Sequence, residues 1–104
     1  MTQTQIVAQL ARKDEEALLH LRDQYEVYCL TIARRLLRSE QAAEECVSDT
    51  WLRAWNAIPP ERPEHLFAYL AAICRNLALN RLDWNNARKR KAEVVSLTAE
   101  LESC

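Results

Sequence analysis

The chain has 104 residues and a net charge of -1, enough for one compact domain and too short for two. It contains no glycine and only three prolines. Because strand pairs with tight turns draw on glycine at positive φ, this composition points to an all-α protein, a compact helical bundle closed by Asn, Ser and Pro turns. No apolar run approaches the roughly 20 residues that span a bilayer, and the start MTQTQ lacks a signal-peptide pattern, so the expected location is cytoplasmic.

The first apolar patch, residues 6–11, predicts one or two helical turns ahead of a turn at Lys13-Asp14. Asp14 suits the N-cap of a second helix, with Glu15 and Glu16 in its first turn. From there Leu18, Leu21, Tyr25, Tyr28, Ile32 and Leu36 recur at three- and four-residue steps, which predicts an amphipathic helix of about six turns. Its opposite face, with His20, Asp23, Glu26 and Arg34, reads as solvated.

Ser39 is the next N-cap, with Glu40 behind it, and the helix it opens covers about 40–57. Ala43, Val47, Thr50 and Ala54 form its inward side, flanked by Cys46, Trp51 and Ile58. Glu45, Ser48, Asp49, Leu52 and Asn56 form its outward side. Leu52 among polar residues has two readings that the pattern leaves open. It is a single exposed apolar residue of the ordinary kind, or, with Trp55 at the margin, the apolar centre of a docking face with a charged rim.

The prolines at 59, 60 and 63 make the connection IPPERPEH, residues 58–65, a stiff one. The stretch 66–91 then predicts one long amphipathic helix. At about 100° per residue Leu66, Leu70, Ile73, Leu77 and Trp84 share the face to be buried, with Phe67, Cys74 and Ala78 beside it. A second stripe of Tyr69, Asn76, Asn80 and Asp83 looks outward, and Arg88, Lys89, Arg90 and Lys91 close the segment.

The near-zero net charge conceals a segregation. Residues 1–65 hold 8 basic and 11 acidic side chains, residues 66–91 hold 6 and 1, and residues 92–104 hold 0 and 3. A positive segment on an otherwise acidic chain is the footprint of a phosphate-binding surface. A solvated helix end, where cations also complement the dipole, gives the same pattern. Cys29, Cys46, Cys74 and Cys104 lack a Cys-x-x-Cys spacing, and the first three fall on apolar faces, so they read as core thiols. His20 and His65 lack ligand-like spacing and read as exposed or capping side chains. No phosphate-binding glycine loop and no paired nucleophile and base occur, so the expectation is a protein without catalytic residues, metal or cofactor.

Two ordered stretches carry a family resemblance. AEECVSDTWLRAW, residues 43–55, resembles the pattern that opens the polymerase-binding helix of region 2 in sigma-70-type sigma factors, written AEDLVQE followed by an aromatic, Leu, Arg and Trp. Residues 66–81, with Phe67, Tyr69-Leu70, Ile73 and Arg75-Asn76-Leu77-Ala78, resemble the family's WLyrIArN-laldrlR segment, and the Arg/Lys run follows where the family has one. Order, spacing and the separating loop agree over about 14–91. The short connection is most similar to the extracytoplasmic-function type. Within the pattern, Glu45 stands where Asp is usual, Ser48 where Gln is common and Tyr69 where Trp is frequent. Asn80 and Asp83 stand where an Asp and a basic residue are common.

The resemblance implies a sigma factor domain for promoter -10 recognition and strand opening. It implies docking on the clamp coiled coil of the polymerase's largest subunit through Glu45, Ser48, Asp49, Leu52 and Arg53. It implies that the loop 58–65 lines a pocket for a base flipped from the non-template strand. Tyr69, Arg75, Asn76, Asn80, Arg81, Asn85, Arg88, Lys89, Arg90 and Lys91 then form the DNA surface, and an anti-sigma factor is a further partner. The domain is expected over 1–92, with 93–104 (ending SLTAELESC) as the start of a linker. A helical regulator that reads duplex DNA, or an interaction module without DNA binding, are the other classes that the pattern allows.

Overall fold

The computed structural model describes the backbone of residues 2–102 and the side chains of residues 2–87. Four helices follow one another, α1 (Gln3–Ala11), α2 (Glu16–Leu36), α3 (Glu40–Ala57) and α4 (Leu66–Glu102), with no strand among the described residues. The expected all-α bundle is what the chain forms. α2, α3 and α4 pack against one another, and α1 lies on α2. α4 runs parallel to α2, since Tyr25 and Tyr28 meet Phe67 while the carbonyl of Cys29 meets Cys74. It runs antiparallel to α3, where Cys46 meets Cys74 and Ala42 meets Arg81.

The helix starts follow local chemistry. Ser39 Oγ accepts the Ala42 amide at 3.2 Å, as expected of an N-cap. Asp14 acts one residue earlier than a regular cap: its carboxylate accepts the Glu16 amide at 3.1 Å while α2 begins at Glu16. α1 is longer than its apolar patch. Thr2 and Gln5 form a reciprocal capping box, Thr2 N donating to Gln5 Oε1 at 2.9 Å and Gln5 N to Thr2 Oγ1 at 3.3 Å, so the helix starts at Gln3. α1 ends with Lys13 at φ 59, where Lys13 N reaches Leu10 O and Asp14 N reaches Gln9 O. That is the Schellman arrangement with lysine in the left-handed position that glycine usually takes.

The core is built on small side chains. Ala17, Cys29, Ala33, Ala43, Cys46, Ala54, Cys74 and Ala78 are all buried, with Ile6, Leu10, Leu21, Ile58, Leu66 and Leu70 around them. Small buried residues let packed helices approach closely. This rotates the buried face of α4 away from the face expected from its large residues. Leu66, Leu70, Cys74 and Ala78 line it, Ile73 and Leu77 are half-buried, and Phe67 and Trp84 are exposed. On α2 the same shift leaves Tyr28 exposed, with its ring edge-on to Phe67 at 5.4 Å.

The three thiols come one from each bundle helix, all buried and unpaired. Cys46 Sγ donates to Cys74 O at 3.4 Å and Cys74 Sγ to Cys29 O at 3.5 Å. Hydrogen bonding to Cys74 and then burial push the Cys29 and Cys46 thiols above their ordinary range, so both stay protonated and unreactive. Cys104 lies outside the described residues. His20 departs from a solvated reading: it is half-buried, with Nδ1 2.8 Å from Gln9 Oε1.

Candidate nucleic-acid and partner interfaces

α3 presents its outer face as a ridge. Glu45, Ser48, Asp49 and Arg53 are exposed, and Leu52 at the crest is 57% exposed. On one side a groove of about 1070 Å³ runs between α2 and α3, with Leu18, Leu30, Val47, Trp51 and Trp55 along it and Glu15, Glu16, Glu26 and Glu44 among its lining. On the other a smaller cleft of about 340 Å³ lies toward α4, between Asp49, Arg53, Asn56 and Leu77. Leu52 borders both. Leu19, 61% exposed, faces it across the larger groove and was not singled out from sequence. The signal was there: Leu19 is about 160° around α2 from Leu21, out of phase with the core.

The amide stripe of α4 is exposed at Asn76 and Asn80, with Tyr69 half-buried at its head. These three lie within about 40° of one another around the helix, and exposed Arg75 lies about 120° around from Tyr69. Tyr69 is tied to the preceding loop, its hydroxyl donating to Glu61 Oε2. Burial, and then the bond to and charge of Glu61, push the phenol up to about 12. The loop is thereby joined to the head of the stripe.

Two of the expected DNA residues sit elsewhere. Arg81 faces α3, with Nη1 donating to Ala42 O at 3.1 Å and to Glu45 Oε2 at 2.9 Å. One residue assigned to DNA and one assigned to polymerase therefore neutralise each other across a helix pair. Asn85 is exposed but lies about 160° around α4 from Tyr69, off the stripe. Arg88, Lys89, Arg90 and Lys91 continue α4, and their side chains lie outside the description.

Sequence reasoning missed the residues that hold the loop. Ile58 anchors its start in the core, and Glu61 N bonds Ala57 O at 3.0 Å. Gln3 of α1 reaches its far end, Nε2 donating to Glu64 O and Oε1 accepting from Leu66 N, both at 2.9 Å. Lys13 reaches its near end, Nζ donating to Ile58 O at 3.0 Å and to Trp55 O, with the ammonium 4.9 Å from the Trp55 ring centroid. A hollow of about 430 Å³ remains between α1 and the loop, bordered by Arg12 and Arg62. Among the described residues no His, Cys, Asp or Glu group is placed to hold a metal ion, and no helix is long and apolar enough to cross a membrane.

A helical binding domain with an acid-rimmed apolar ridge on one helix and an amide-bearing face on the next is the class these features define. The Sigma-70 region 2 family model matches residues 21–88, well over half of the chain, and the chain belongs to that family. Neither a curated protein nor a solved structure matches it. Membership makes this a domain of transcription initiation, with RNA polymerase core and promoter DNA as partners, and a regulatory rather than an enzyme family. α1 and the first turn of α2 precede the matched residues.

Proposed function

We propose that the chain recognises and holds open the promoter -10 element while docked on the clamp coiled coil of the polymerase's largest subunit, in the manner of an extracytoplasmic-function sigma factor acting in the cytoplasm. The observation that carries this reading is the union of the proline loop with the amide stripe through Tyr69 and Glu61, beside exposed Asn76 and Asn80. A half-buried ring offers a stacking platform and the amides pair with base edges, while Arg75 and the run 88–91 neutralise phosphate. Capturing unstacked non-template bases offsets the few kcal/mol lost as each leaves the duplex, so opening needs no catalytic group. On α3, Leu52 and its acidic surroundings form the clamp-binding ridge, a surface that an anti-sigma factor competes for. The functional domain spans 1–92, with α4 continuing past that boundary to Glu102.

Binding to labelled single-stranded and duplex -10-like oligonucleotides, with and without a clamp coiled-coil fragment, tests the proposal. Preference for the non-template single strand, strengthened by the clamp, is the expected result. Equal or tighter duplex binding independent of the clamp replaces it with a duplex-reading regulator, and binding to no nucleic acid reduces the chain to an interaction module.

A further inference from the structure

We propose that α1 is a strut that sets the shape of the loop 58–65, and through it the base selectivity of the site, so that Gln3 and Lys13 are positioning residues for DNA that neither need touch. This rests on the promoter reading above and adds to it a helix that lies before the residues matched to the family.

The two ends of α1 hold the two ends of the loop. At the far end, the Gln3 carboxamide makes a closed pair of bonds, accepting the Leu66 amide and donating to the Glu64 carbonyl. Leu66 is the first residue of α4, and its N–H is one of the groups that a helix start leaves without an intrahelical partner. Gln3 therefore caps α4 from a different helix, 63 residues away in sequence. At the near end, Lys13 places its ammonium on the carbonyls of Trp55 and Ile58, at the C-terminus of α3, where a cation also complements the helix dipole. No local chemistry of the loop supplies these bonds. Removing either side chain leaves the loop attached to the bundle through Ile58, the Tyr69–Glu61 bond and the other pin, with one end released.

The backbone at Lys13 argues that this contact is not incidental. Its φ of 59 is a conformation that glycine or asparagine adopts with less strain than lysine. Glycine there would satisfy the turn and abolish the contact with α3. Turn quality and loop pinning thus conflict at one position, which gives the proposal a test that separates it from a general contribution to stability.

The experiment uses the 104-residue chain and the variants Lys13→Gly, Lys13→Arg and Gln3→Ala, with Thr2→Ala as a control that weakens the α1 cap without touching the loop. Three quantities are read: the melting temperature, amide exchange across 58–66, and the ratio of affinities for a single-stranded -10-like oligonucleotide and its base-substituted counterparts. Lys13→Gly should keep or raise the melting temperature, yet speed exchange in the loop and lower the affinity ratio about fivefold, the equivalent of one hydrogen bond. Gln3→Ala should likewise speed exchange and lower the affinity ratio, with the Leu66 amide exchanging about fivefold faster. Lys13→Arg should restore the ratio, while Thr2→Ala should leave it unchanged.

Unchanged exchange in both Lys13→Gly and Gln3→Ala overturns the strut. Faster exchange with an unchanged affinity ratio overturns its role in selectivity, leaving a brace for the fold. A chain without substitutions that shows no base preference overturns the promoter reading itself, before any variant is made.

Discussion

Leu52 and Leu70 are leucines of opposite fate, one 57% exposed on a ridge and one wholly buried. Leu52→Asp should leave helicity and melting temperature within error of the parent and weaken clamp-fragment binding at least tenfold by titration, as expected when an apolar centre of an interface becomes charged. Leu70→Ala should instead lower stability by about 2–5 kcal/mol in denaturant unfolding. A loss of stability in Leu52→Asp would place that residue in the core. Tyr69 supplies a second measurement. Its phenol is held protonated by burial and then by Glu61, up to about 12 against an ordinary 10. Because the folded value is raised, this group's contribution to stability is complete below pH 10 and is lost as the pH rises toward 12. A tyrosine absorbance titration, assigned with Tyr69→Phe, should show the late transition, and Glu61→Gln should move it partway back.

At the scale of the helices, the start of α3 combines a Ser39 cap with the Arg34–Glu40 pair, whose Nε–Oε2 distance is 2.8 Å. The Arg34 guanidinium holds the Glu40 carboxyl below its usual range. The stability this supplies is present above pH 4.5 and is lost as the pH falls through the lower folded value. Glu40→Gln should therefore matter at neutral pH and become silent in acid, whereas Ser39→Ala should cost about 1 kcal/mol at either pH in thermal unfolding. α4 offers the companion contrast. Arg75 is exposed and Arg81 is bonded to α3. Arg75→Gln should lower single-strand affinity and reduce the slope of log K against log salt by about 0.7, the value for one phosphate contact. Arg81→Gln should leave that slope unchanged and lower stability, because it strips a bond from Ala42 and the partner from Glu45.

For the whole molecule, charge and amides divide the work of binding. Neutralising the run 88–91 should reduce the single-strand salt slope by about 3 and leave the preference among bases intact, since phosphate contacts carry no sequence information. The helical architecture, the cap at Ser39, the exposed leucine of α3 and the amide stripe of α4 were all legible in the sequence, because each rests on local periodicity or a local hydrogen bond, whereas Asp14 bonds the start of α2 from one residue before its N-cap. The phase of the α4 core face was not. Large residues dominate a periodicity reading, yet Cys74 and Ala78 are wholly buried while Phe67 and Trp84 are exposed. Nor could sequence pair Arg81 with Glu45 or bring Gln3 and Lys13 to the loop, because those bonds join residues 36 to 63 positions apart.

A chain without glycine must close its turns by other means, and here exposed polar side chains do it: Thr2 and Gln5 at α1, Lys13 in a left-handed turn, Ser39 at α3. The consequence is an unusual map of tolerance to mutation. In most domains solvent exposure marks the positions where drift is harmless, and burial marks those where it is not. In this one, several residues with a defined structural task stand on the outside, so a substitution survey ranked by burial alone would set them among the neutral ones, and a redesign that polished the surface for solubility would erase them first.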